Sequence, residues 1–118
     1  MSEPVGALAA AYAATAQRWH ELRNDARAAN PVFDENERLA CELRATAEGR
    51  AAIAALIDHD ASGVRVLAAA HSLDFCQAEA VAALEALAAG AGLHAITAEH
   101  VLDEFRAGTL QLDGDEDN

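Results

Sequence analysis

Five histidines, two cysteines and twenty carboxylates make up the reactive groups of this 118-residue chain, and three groupings among them have the spacing to do chemistry. His100 stands with Glu99, Asp103 and Glu104. Residues three and four apart share one face of a helix, and imidazole and carboxylate are both metal ligands. One helix alone supplies this group, however, and no second histidine falls at a recognised ligand spacing. The same residues read as a solvated acidic face without any metal.

His71 and Cys76 form the second grouping. A cysteine and histidine five apart near a helix end need not face each other, and no serine or cysteine nucleophile with a recognisable context lies nearby. On a mostly apolar helix beside Leu67 and Ala68, His71 is expected to be a core histidine bonded to a backbone carbonyl. The third grouping is Arg65 with Asp58 or Asp60. A bidentate guanidinium can tie a turn to the following helix, so this is expected as a structural ion pair; its functional alternative is a partner contact. The chain carries no Gly-rich phosphate loop, Gly-x-Ser-x-Gly elbow, His-Glu-x-x-His or paired-carboxylate motif. Neither an enzyme nor a cofactor is expected.

The elements that must position these residues read as helices. Alanine dominates the apolar fraction, while β-branched and aromatic residues are sparse, which favours closely approaching helices over a sheet. From Pro4, apolar residues recur at Val5, Leu8, Tyr12, Trp19, Leu22 and Ala26, predicting one long amphipathic helix in which Tyr12 and Trp19 anchor the core. Asn30 and Pro31 read as the cap and first residue of a second helix running to about Glu48, its buried side formed by Val32, Leu39, Leu43 and Ala47. Gly49 interrupts the pattern. A short third helix, about Arg50 to Ile57, buries Ile53, Leu56 and Ile57. The nearly uniform apolar run from Val64 to Leu73 predicts a fourth helix enclosed by others. A fifth, Gln77 to Ala89, exposes Glu79 and Glu85 and buries Val81, Leu84 and Leu87. The sixth has Thr97 as its cap, Ile96 and Val101 as a hydrophobic staple, and Gly108 as a left-handed stop over which Leu110 or Leu112 folds back. Residues 113–118 are too polar to pack and read as a flexible acidic tail on a single domain spanning 1–112.

The formal charge is -12. It falls mostly in the second half: residues 1–50 hold 8 acids and 6 bases, a balance of -2, and the remainder holds 12 acids and 2 bases, a balance of -10. Such a surface repels nucleic acid and attracts basic partners. The two cysteines are expected as reduced, buried thiols. The first residues lack a basic secretory region, and no apolar run approaches the length needed to span a bilayer, which points to the cytoplasm.

Two segments recur. Ile53-Ala54-Ala55-Leu56 is echoed by Val81-Ala82-Ala83-Leu84, and His71-Ser72-Leu73 by His100-Val101-Leu102. A period near 30 suggests three stacked hairpins pairing helices one with two, three with four and five with six. Leu56 to Asp60, Val64-Arg65, Ala68-Ala69 and Leu73 resemble the HEAT repeat signature. Leu87 to Leu93, Ala98-Glu99, Leu102 and Phe105 to Leu110 are similar to a bacterial HEAT-like family catalogued as a domain of unknown function, number two thousand nineteen. The resemblance implies an all-α superhelix of hairpins and no agreed activity. The expected role is therefore a protein-binding module that offers Glu79, Glu85, Glu99, Asp103 and Glu104 to a basic partner, in the manner of an adaptor or immunity-type protein. The alternative is a homo-oligomeric scaffold that pairs through helix one or its apolar end faces.

Overall fold

A computed structural model describes residues 4–90, 92–108 and 110, with Leu93 described by its backbone alone. Among the described residues, six α-helices and one short 3-10 turn account for the architecture: α1 (Val5–Glu21), α2 (Ala26–Arg44), α3 (Ala47–Ala55), the 3-10 turn Leu56–Asp58, α4 (Ser62–His71), α5 (Gln77–Ala88) and α6 (Leu93–Ala107). Among the described residues there is no strand, and no helix is long and apolar enough to cross a membrane. The chain is all-helical, as its alanine-rich composition predicts.

The first boundary lies earlier than the sequence suggested. α1 ends at Glu21, and Asp25, not Asn30, caps α2: its carboxylate accepts from the Ala28 amide at 3.3 Å. Aspartate caps as well as asparagine does, and a turn here lets α2 fold back along α1. The register confirms the hairpin, because Trp19 packs on Phe33 near the turn and Asn36 bonds Tyr12 further along. Pro31 falls within the second turn of α2, where its ring withholds one intrahelical hydrogen bond and helical packing outweighs the loss.

The second boundary also moves. Gly49 does not interrupt a helix; it lies in the first turn of α3, its amide donating to the Thr46 cap at 3.0 Å. A Cβ at Gly49 would meet the Leu43 carbonyl oxygen at 1.8 Å, so only glycine allows the tight turn between α2 and α3. At the other end of the chain, α6 opens at Gly92 and not at Thr97, and Ile96 is exposed, so the expected staple does not form. Gly108, with φ 77°, closes α6 in the left-handed region, and Leu110 packs back against the core as anticipated. Leu112 and residues 113–118 lie outside the described residues.

Hairpins α1/α2 and α5/α6 flank α4, which packs on α1, α5, α6 and the 3-10 turn. Every residue of α4 from Val66 to His71 is buried, together with Gly63 and Val64. A helix apolar on all sides has nowhere else to go. The middle pairing differs from the regular arrangement expected of stacked hairpins, because α3 leans mainly on α2 and α1. The core runs continuously from Leu8, Tyr12 and Leu43 through Ile53, Val64 and Leu73 to Leu84, Ala98 and Leu102.

Candidate functional site

The C-terminal end of α4 is where three helices exchange polar contacts. His71 is buried, 4% exposed, yet its partners are side chains and not the backbone carbonyl expected for a core histidine. Its Nδ1 lies 2.6 Å from the Tyr12 hydroxyl of α1 and its Nε2 lies 2.6 Å from a Glu37 carboxylate oxygen of α2. Burial above all, and the nearby Glu37 charge, push the Tyr12 phenol well above 10.0, so the phenol keeps its proton. His71 thus bridges the phenol and the Glu37 carboxylate through its two ring nitrogens. The hydrogen-bonded chain links Tyr12, His71 and Glu37, from the core outward to a carboxylate that is 38% exposed.

Two neighbours hold this chain in place. Arg44 donates to the His71 carbonyl at 2.6 Å and grips both Asp74 oxygens, at 2.8 and 2.7 Å, while its guanidinium lies 5.7 Å from the Phe75 ring centroid. That carbonyl belongs to a helix end with no intrahelical partner, where a cation is favoured. Arg44 holds the Asp74 carboxyl below the usual aspartate range, principally through the hydrogen bonds between them. Asn36, fully buried, donates to the Tyr12 carbonyl at 3.1 Å and to Thr15 Oγ1 at 3.0 Å, fixing the α1/α2 register.

The outer end of the hydrogen-bonded chain faces a cleft of about 320 Å³ between α1, α2, α4 and α6, whose walls include Trp19, Phe33, Leu67, Val101 and Leu110 beside Glu37 and His71. Trp19 and Phe33 form an aromatic wall, their ring centroids 6.0 Å apart. Trp19 is therefore only partly buried, in contrast to Tyr12, which is fully buried.

A second concavity, about 630 Å³ and open to solvent, lies between α3 and α5. Alanines 51, 54, 55, 82 and 83 and Ile57 form its floor, and Asp58 and Glu79 stand on it as acids. Cys76 lines it too, with its thiol 3.4 Å from Glu79; burial, then the Glu79 carboxylate, pushes that thiol up. Cys41 is exposed, contrary to the expectation of two buried thiols. The α2 face that carries it turns away from α1.

The remaining sequence candidates fall as follows. Arg65 reaches the carbonyls of His59 and Asp60 at 3.4 and 3.5 Å and Ser62 Oγ at 3.5 Å; among the described residues no ion pair joins it to Asp58 or Asp60, both of which are exposed. Its brace is to backbone, long and weak, because the turn it spans presents carbonyls where the carboxylates were expected. Glu85 is taken by Arg106 at 2.7 Å, linking α5 to α6, and Glu104 by His100 at 3.3 Å. Glu79, Glu99 and Asp103 are exposed. His71 and His100, matched by the sequence echo, end in opposite settings: one buried, the other with a side chain 70% exposed. Among the described residues no three histidines, cysteines or carboxylates cluster as a metal site.

Sequence reasoning missed Glu37, Asn36 and Arg44. Asn36 had a signal, since it interrupts the apolar series Phe33, Ala40, Leu43 on α2. The Arg44 and Asp74 pair, thirty positions apart, had none. Comparison with protein-family models, with curated proteins and with solved structures finds no match to this chain.

Proposed function

We propose that the protein is a non-catalytic binding module whose α3/α5 groove receives a basic helical segment of a partner protein. The observation that carries this reading is the groove itself: a floor of alanines, whose small side chains let another helix backbone approach closely, with Asp58 and Glu79 beside it to meet basic side chains. A formal charge of -12 steers such a partner and makes its association salt-dependent. The raised thiol of Cys76 is a poor nucleophile, which favours recognition over thiol chemistry at this place. The resemblance to HEAT-like proteins, in which stacked helix pairs present a concave surface, supports the same reading, and an immunity-type or adaptor role fits its size and acidity.

The test is co-purification from the native host at low and at high salt, with wild-type protein and with Ala82→Trp, which fills the groove from an exposed position. A basic partner that is retained at low salt, released at high salt and lost with Ala82→Trp supports the reading. Retention that is indifferent to Ala82→Trp moves the interface elsewhere, and the absence of any partner at low salt removes it.

A further inference from the structure

The cleft at the outer end of the hydrogen-bonded chain is built differently from the groove, and its contents call for a different occupant. Its volume of about 320 Å³ lies at the small end of the range for ligand pockets, which is roughly 300–1,000 Å³. Its walls are aromatic and aliphatic, with few polar groups converging on them. One of those is Glu37. His71 occupies Oε2 of that carboxylate, and among the described residues nothing bonds Oε1.

Among the described residues Glu37 forms no ion pair with an arginine, and its side-chain partner is the His71 ring. The other titratable group on the wall, His100, is paired with Glu104. A carboxylate beside two aromatic side chains is the arrangement that receives a cation with an apolar body: the ammonium meets the carboxylate and the aromatic wall, and the body displaces water from the walls.

We propose that this cleft binds a small organic amine, its ammonium on Glu37 and its hydrocarbon body between Trp19, Phe33 and Leu110. His71, itself held by Tyr12, fixes the Glu37 carboxylate in one orientation, so the site is formed before the ligand arrives. Glu37 is a binding residue; Tyr12 and His71 are positioning residues. The site is separate from the α3/α5 groove and stands or falls without it.

Trp19 is the chain's one tryptophan and lies in the wall, so its fluorescence reports occupancy directly. Phenethylamine is titrated into the full chain, with calorimetry in parallel, and 3-phenylpropionate serves as a probe with the same body and the opposite charge. Saturable binding of phenethylamine is expected, with the anion at least about tenfold weaker. Glu37→Gln keeps an acceptor for His71 and removes the charge; it is expected to weaken phenethylamine about tenfold or more while Trp19 emission without ligand stays the same. Val101→Phe fills the cleft from α6 and is expected to abolish binding. No saturation by either method up to ~10 mM, equal affinity for the anion, or unchanged affinity in a folded Glu37→Gln protein each overturns the proposal. Should Glu37→Gln fail to fold, undiminished binding by Val101→Phe does so in its place.

Discussion

His71 and His100 sit in matching stretches of sequence and do opposite work. His71, at the end of a helix enclosed by others, shares its two ring nitrogens between Tyr12 and Glu37 and joins α4 to both members of the first hairpin. His100, on the open face of α6, meets Glu104 one turn away. The same contrast separates the two arginine links: Arg44, with a side chain 7% exposed, grips Asp74 and a helix-end carbonyl, whereas Arg106 meets Glu85 with both side chains more than half exposed. Polar groups in the α1/α2/α4 seam are few and mostly bonded to one another, with Asn36 Oδ1 buried and unpaired; those on the α5/α6 face are many and shared with water. Low dielectric and the cost of an unpaired buried group make the first set strong, and solvent screening makes the second weak.

Breaking the packing of the seam should have the largest effect. Leu43 is 1% exposed at the junction of α2 with α3, and Leu43→Ala is expected to lower unfolding free energy by about 2–5 kcal/mol in denaturant melts followed by circular dichroism. Next comes Tyr12→Phe, which leaves His71 Nδ1 buried without its hydrogen-bond partner; a loss of about 1–3 kcal/mol is expected. A loss below the scatter of surface substitutions would mean the hydroxyl is replaced by water.

The Arg44 and Asp74 link sharpens the contrast through pH. The Asp74 carboxyl is held below its ordinary value of 3.8 in the folded protein, so the folded state favours the ionised form. Its stabilisation is fully present above that value and is lost as pH falls through the lower, folded value. Wild type should exceed Asp74→Asn in stability at neutral pH, and the gap should close below about pH 4. A pH-independent gap would assign the difference to hydrogen bonding alone. His94 acts in the opposite sense to a paired histidine: burial, with His20, Arg23 and Arg65 nearby, holds it below 6.5. The folded state therefore favours its neutral form, and stability should decline as pH falls through 6.5; His94→Gln should flatten that part of the profile. The smallest effect belongs to the open face. Arg106→Ala is expected to cost no more than about 1 kcal/mol at low salt and less at high salt.

Much of the helical layout was legible because it depends on local periodicity. The fourth and fifth helices start and stop within two residues of their expected limits, since an unbroken apolar run and an exposed carboxylate series admit few alternatives. The boundaries that moved were those with competing signals. Asp25 and Asn30 are comparable caps, and only the packing of α2 along α1 selects the former. Thr97 has the form of a cap, and the helix begins four residues before it. The candidate sites were less legible, since Arg65 has nearby acids in sequence but spends its hydrogen bonds on carbonyls.

What the sequence determined by itself is helical content, the enclosed position of α4 and the acidic surface, because propensity, apolar spacing and charge act over short distances or as sums. Tertiary structure decided which polar residues meet. Tyr12, Glu37 and His71 come from three helices and are separated by up to 59 positions, and Arg44 reaches Asp74 across thirty. Their pairing follows from helix register and crossing, where one turn more or less would have joined other residues, so no local pattern records it.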